Sequence, residues 1–312
     1  MGSALGHGDH LQVTHSALAS PSATIAVLQR HGLYTKKSLG QHFLVDDNVV
    51  GKIIALAALS RDDVVLEVGP GIGTLTVALC ADAGAVVAVE RDAALFPALA
   101  EATAGCDRIT VVQADAVTVP VGELAEPFGP PGALVANLPY GVAATVVLRL
   151  FQEMPSVAQA TVMVQAEVAA RMSASPGGKE YGSYTVKLGL LAKPTGSFPV
   201  SRNSFMPPPR VDSTVLRLER RTVAQATVPK AGTPEYAATC RVADAAFAQR
   251  RKTLRNSLSA VLGMRAADLD EALVSAGVDG SCRAETLAPE AFVRMARELA
   301  VRGLLGSEVT ER

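Results

Sequence analysis

Val64-Val65-Leu66-Glu67-Val68-Gly69-Pro70-Gly71-Ile72-Gly73 decides the fold class of this 312-residue chain. Its first half is an apolar run of strand length, and the glycines that follow suit a tight turn into a helix over residues 74–83. Outward from it the pattern repeats. Ala85-Val86-Val87-Ala88-Val89-Glu90 reads as a second strand, followed by a helix over 92–104. Ile109-Thr110-Val111-Val112-Gln113 reads as a third strand and Ala133-Leu134-Val135-Ala136 as a fourth. A helix over 143–151 and a strand over 160–165 follow. Strands alternating with helices predict βαβ units and a mostly parallel sheet. A late strand is expected over 211–218, and helices throughout 236–302.

Composition narrows the function classes. Lys and Arg number 29 against 30 Asp and Glu, so net charge argues neither for nor against nucleic acid, and only local clustering can. The four cysteines (Cys80, Cys106, Cys240, Cys282) have neither zinc-ligand nor redox spacing, so reduced thiols and a cytoplasmic location are expected. No apolar run is long enough to span a membrane. All five histidines precede residue 43, which argues against a histidine triad or a His-ligated metal in the body of the protein, and no metal is expected.

In an open α/β sheet, ligands bind outside the carboxyl ends of the strands. The turn Gly69-Pro70-Gly71-Ile72-Gly73 is G-x-G-x-G, not the G-x-G-x-x-G of a dinucleotide site, which favours a nucleoside without pyrophosphate. Glu90 ends the second strand, where a carboxylate can accept from both ribose hydroxyls. Asp115 follows the third, where it can accept from an adenine amine. Asn137-Leu138-Pro139-Tyr140 follows the fourth: an amide oxygen and a carbonyl can hold an amino-bearing base, and an aromatic ring can stack on it. An adenine or a cytosine amine fits that description. The glycine turn, Glu90 and Asp115 at three successive strand ends together look like a methyltransferase that uses S-adenosylmethionine.

Four motifs make the match specific: Lys37-Ser38-Leu39-Gly40-Gln41-His42-Phe43-Leu44, Asn137-Leu138-Pro139-Tyr140, Phe205-Met206-Pro207-Pro208-Pro209-Arg210-Val211-Asp212-Ser213, and Phe247-Ala248-Gln249-Arg250-Arg251-Lys252-Thr253-Leu254-Arg255-Asn256. Over roughly residues 33–300 the chain resembles the ribosomal RNA adenine dimethyltransferases, most closely their bacterial small-subunit (16S) branch. The resemblance implies a Rossmann-like, mostly parallel α/β methyltransferase sheet plus a small all-α C-terminal domain. It implies cofactor contacts from His42, Leu44, Gly69, Gly71, Glu90, Asp115 and Asn137, and a target adenine surrounded by Asn137, Pro139, Tyr140 and Phe205. It implies dimethylation of two adjacent adenosines near the 3′ end of 16S rRNA during small-subunit maturation. His42 stands where the family usually has Asn, and Gly141 where Asn commonly follows the Tyr.

A flexible extension is expected over 1–30, with a short helix compatible with 22–31, the methyltransferase domain over 31–221, a linker over 222–234 and a helical RNA-binding domain over 235–312. On a helical wheel Leu254, Leu258 and Val261 continue a stripe begun by Phe247. Arg250 flanks one side of it, Lys252 and Arg255 the other, and Arg251 snorkels outward. Such a run is usually a solvated face. Four cations in six residues with no acid between Asp244 and Asp268 favour phosphate contact, to which Lys36 and Lys37 can add. A monomer is expected. The alternatives are a large-subunit (23S) adenine methyltransferase of the macrolide-resistance type, a non-catalytic assembly factor on the same fold and, remotely, a dehydrogenase.

Overall fold

The structure is a computed structural model that describes residues 14–33, 41–125, 128–221 and 228–305. Helix α1 (Pro21–Arg30) opens it, with Ser20 accepting from the Ala23 N–H and proline in the first turn, both favoured helix-start features. A two-residue strand β1 (Phe43–Leu44) leads to α2 (Asp47–Ala57), capped by Asp46. The alternating part then runs β2 (Val64–Val68), α3 (Thr74–Asp82), β3 (Ala85–Glu90), α4 (Phe96–Ala102), β4 (Ile109–Gln113), β5 (Ala133–Asn137), α5 (Ala143–Glu153) and β6 (Gln159–Gln165). Beyond it lie α6 (Ala166–Met172), α7 (Ser183–Gly189), β7 (Ala192–Val200), β8 (Phe205–Met206) and β9 (Ser213–Arg220).

Seven strands form one sheet in the order β4-β3-β2-β5-β6-β9-β7. The neighbours from β4 to β6 are parallel, and β9 is antiparallel to both β6 and β7. The order reverses between β2 and β5: the chain first moves outward to β3 and β4, then returns to the other side of β2. That reversal opens a crevice at the carboxyl ends of β2 and β5. Strands β2, β3 and β5 are almost wholly buried, as expected of a sheet covered on both faces. Arg220, at the end of β9, donates to the carbonyls of Phe151, Met154 and Val157, satisfying acceptors left at the end of α5.

Four helices, α8 (Pro234–Phe247), α9 (Leu254–Leu262), α10 (Ala266–Ser275) and α11 (Pro289–Val301), enclose a second core around Val242, Leu254, Leu258, Leu269 and Phe292. Phe247 stacks on Phe292 (5.8 Å between ring centres) and meets Tyr181 edge-on. The two cores share a seam. Tyr236 and Val293 from the helices belong to the sheet's core, while Tyr181 and Val186 from the α/β part belong to the helical one.

Several expectations are corrected. The extension expected over 1–30 is ordered over residues 21–30, where the short helix read over 22–31 forms as α1, whose Val27 and Leu28 pack with Phe43, Ile72, Leu95 and Ala98. Asp47 accepts from the His15 and Ser16 N–H groups, and Arg30 and His31 both pair with Glu101 on α4. The stretch 247–256 is not one helix. It breaks into a turn after Phe247, and α9 restarts with Thr253 as its cap, so the wheel drawn through Phe247 and Leu254 does not apply. Leu254 and Leu258 are buried all the same, whereas Val261 is exposed. Strand β7 and helices α6 and α7 were not anticipated. Residues 222–227 of the expected linker, and Lys36 and Lys37, lie outside the described residues.

Candidate active site

A cavity of about 430 Å³ occupies the crevice at the switch point. Its walls are the segment Gln41 to Leu44, the end of β2 with the glycine turn, the ends of β3 and β4 through Asp92 and Ala116, and the loop from Asn137 to Val142. Gly69 and Gly71 have φ of +73° and +63°, a region that side chains disfavour. A Cβ on Gly69 would lie 3.2 Å from the Pro139 ring, so this turn and the tetrapeptide loop approach as closely as bare backbone permits.

Glu90 is buried at the end of β3. Its two oxygens accept from the Gly71 N–H at 3.2 Å and the Asp92 N–H at 2.8 Å, which fixes the carboxylate against the glycine turn. Burial raises its pKa, and those N–H bonds oppose the shift. Asp115 accepts from the Val117 N–H at 2.8 Å and faces Arg91 at 3.4 Å. Asn137 donates its side-chain N–H to the His42 carbonyl at 3.5 Å, which leaves the amide oxygen as an acceptor. Pro139 O accepts from the Val142 N–H at 3.1 Å, in the turn that starts α5, leaving it one lone pair; the carbonyl of Leu138 is not part of that turn. Tyr140 stacks on the His42 ring, 5.7 Å between centres and 28° between planes, and its hydroxyl lies 2.8 Å from Ser213 Oγ. Burial raises the Tyr140 pKa; the Ser213 bond opposes this and the Asp212 charge adds to it.

Of the site residues read from sequence, His42, Leu44, Gly69, Gly71, Glu90, Asp115, Asn137, Pro139 and Tyr140 line this one cavity. Phe205 does not. It is 3% exposed, pairs with Leu44 across β1 and β8, and sits in the core with Met163, Val200 and Val215. Its packing among these residues gives it a core position where a stacking face was expected. Among the basic residues, Arg250 donates to the carbonyls of Lys179 and Tyr181, and Arg255 pairs with Asp270 at 3.2 Å. Arg251 and Lys252 are exposed in the turn between α8 and α9 and form no ion pair with a described residue.

Sequence reasoning missed two residues. Ser213 was quoted as the last letter of its motif without a role; it is fully buried under Tyr140. Glu67 was read as part of a strand. It is 1% exposed, lines the cavity, and its Oε2 has no hydrogen-bond partner. Burial pushes its pKa up to about 8; Thr76 opposes this, though its hydroxyl makes no bond of good geometry, and the Glu90 charge adds to it. An acid inside an otherwise apolar strand was the available signal.

The sheet order and the cavity beside its glycine turn define the class, a Rossmann-like methyltransferase fold of the kind that uses S-adenosylmethionine. A family profile described as "Ribosomal RNA adenine dimethylase" matches residues 32–301, and the chain belongs to that family. It is 44% identical to "Ribosomal RNA small subunit methyltransferase A" of Rhodococcus opacus over 286 residues, 90% of this chain and 94% of the relative. It is 43% identical to the protein of that name in Streptomyces coelicolor, covering 91% and 97%. Among solved structures, a dimethyladenosine transferase from Plasmodium falciparum superimposes with a TM-score of 0.69 at 25% identity, covering 84% of this chain and 98% of that one. The 23S rRNA methyltransferase ErmE gives 0.61 at 30%, covering 83% and 99%. The chain is a methyltransferase acting on ribosomal RNA.

Proposed function

We propose that the protein transfers methyl groups from S-adenosylmethionine to the exocyclic amines of two adjacent adenosines near the 3′ end of 16S rRNA, in small-subunit maturation. The observation that carries this reading is the meeting of Asn137, Pro139 and Tyr140 with Glu90 and Asp115 around one cavity. The small-subunit assignment rests on the relatives that carry that function in their names.

The residues present fit the cofactor. The glycine turn presents bare backbone to the cavity, with Gly69 and Gly71 at positive φ where a side chain is disfavoured. Glu67 Oε2 is a buried oxygen in the cavity wall without a hydrogen-bond partner, one that a polar group of a ligand can satisfy. Glu90, held by two N–H groups, keeps lone pairs for ribose hydroxyls. Asp115 is placed for an adenine amine, and the Leu44 side chain, 3% exposed, forms apolar wall beside it. When bound, S-adenosylmethionine supplies a methyl group already activated by its sulfonium.

The obstacle is then the adenine amine, whose lone pair is delocalised into the ring. Asn137 Oδ1 and a backbone carbonyl of the Leu138-Pro139 pair accept its two hydrogens, which favours a pyramidal nitrogen with its lone pair directed along the line of transfer. Positioning of this kind contributes on the order of several kcal/mol. Tyr140 stacks on the base, worth roughly 1–3 kcal/mol. The methylated amine is acidic enough to lose its proton to water. The exposed pair Arg251 and Lys252 contacts RNA phosphates; Arg250 and Arg255 hold that turn in shape through their bonds to Lys179, Tyr181 and Asp270.

The test is methylation of purified small subunits lacking the modification, with labelled cofactor and primer-extension mapping on both rRNAs. Stops at two adjacent adenosines in the small-subunit RNA are expected. A stop only in the large-subunit RNA would overturn the assignment in favour of an ErmE-like activity.

A further inference from the structure

The side chain of His42 is turned along the cavity wall. Its Nδ1 lies 2.7 Å from the Pro207 carbonyl. A carbonyl only accepts, so Nδ1 carries the hydrogen. The same ring lies against Tyr140, and the His42 carbonyl receives the Asn137 amide. One residue therefore touches the tetrapeptide loop at both its amide and its aromatic, and joins that loop to the proline-rich segment. Tyr140 is held at its far end as well, by the Ser213 hydroxyl at 2.8 Å.

We propose that His42 is a positioning residue for the target base: with Ser213 it locks the Tyr140 ring, covers one of its faces and leaves the other as the stacking platform. This rests on the reading of Tyr140 as the base-stacking residue. A tyrosine side chain has two soft torsions. A ring packed on its face and a bond at its hydroxyl together fix both, so no ordering entropy is lost when the base arrives. An asparagine, which the family resemblance places here, has no ring to pack. This chain thus holds its tyrosine by a ring contact that an asparagine cannot reproduce.

Four variants test it: His42→Ala, His42→Phe, Ser213→Ala and the double variant His42→Ala/Ser213→Ala. Single-turnover methylation of unmodified small subunits and cofactor affinity by equilibrium dialysis are measured on each. His42→Ala is expected to slow transfer roughly tenfold or more while cofactor affinity stays within about threefold. His42→Phe, which restores a ring, recovers most of that rate. The double variant is no slower than the worse single one, because both changes act through Tyr140. An unchanged rate in His42→Ala, a loss of cofactor affinity as large as the loss of rate, or independent effects in the double variant would each overturn the proposal.

A second readout needs no activity. The chain has five tyrosines, and Tyr140→Phe assigns the Tyr140 signal in a ring-labelled NMR sample. His42→Ala should move that signal through the lost ring current, and His42→Phe should return it towards its original place. A Tyr140 signal indifferent to both changes sinks the proposal even if the protein methylates nothing. A wild-type protein that fails on small subunits while its Tyr140 signal responds refutes the functional reading alone.

Discussion

On the proposed reading Asn137 is the residue on which the chemistry turns, because its amide oxygen would be the side-chain acceptor for the amine. Asn137→Ala is expected to abolish methyl transfer while leaving cofactor binding measurable by dialysis; full activity in that variant would refute the role. Glu67 makes a different prediction. Its pKa is raised to about 8 in the folded protein, from an ordinary value of 4.5. Between those values the folded state holds a proton that the unfolded state has lost. The stabilisation is therefore complete below the unfolded pKa and disappears as pH rises through about 8. Thermal melts from acid to alkaline pH should show the wild type losing stability relative to Glu67→Gln, which keeps a neutral side chain throughout. Parallel curves would show that Glu67 is not buried as a neutral acid. Neither the protonation of Glu67 nor the role of Ser213 was legible in sequence, since both depend on neighbours brought in by folding. Asn137, Glu90 and Asp115 were legible, because a polar residue directly after an apolar strand is a strong local signal.

At the scale of elements, the strands β2 to β6 and the glycine turn were read within a residue or so, because an apolar run closed by turn residues is a local pattern; β9 was read two residues early and β7 was missed. The helical part was read less well. Apolar spacing carried through 247–256 suggests one helix, but Thr253 accepts from the Asn256 N–H and starts a new one. That break is what exposes Arg251 and Lys252 together. Replacing either with Ala should weaken binding to small-subunit rRNA nearly uniformly and reduce the slope of log affinity against log salt by about 1 per residue. Filter-binding titrations over a salt series measure it, and an unchanged slope would remove the pair from the RNA interface. The same changes at Arg250 or Arg255 should cost stability as well, because their guanidinium groups hold neighbouring loops and helices. Phe205 shows the converse error. Its motif suggested a stacking face, and only its packing against Met163, Val200 and Val215 reveals it as core.

For the whole molecule, the seam between sheet and helices sets how the turn carrying Arg251 and Lys252 sits relative to the cavity. Phe292 is fully buried there, against Phe247, which also meets Tyr181 of the α/β part. Phe292→Ala should destabilise by about 3–5 kcal/mol, read as a shift of the denaturant midpoint, because a ring-sized cavity opens between elements that cannot collapse. A shift under about 1 kcal/mol would mean the helical core repacks freely. Sequence by itself determined the layered α/β class, the glycine turn at the end of β2 and the place of the Asn137-to-Tyr140 tetrapeptide at the end of β5. Each of these is written in residues adjacent in the chain, where spacing and residue type suffice. Tertiary structure alone decided that Phe205 is core, that His42 and Ser213 hold Tyr140 from two sides, and that Glu67 is a buried acid. Those properties arise between residues far apart in sequence, and contact, burial and charge environment exist only once the sheet order has brought such residues together.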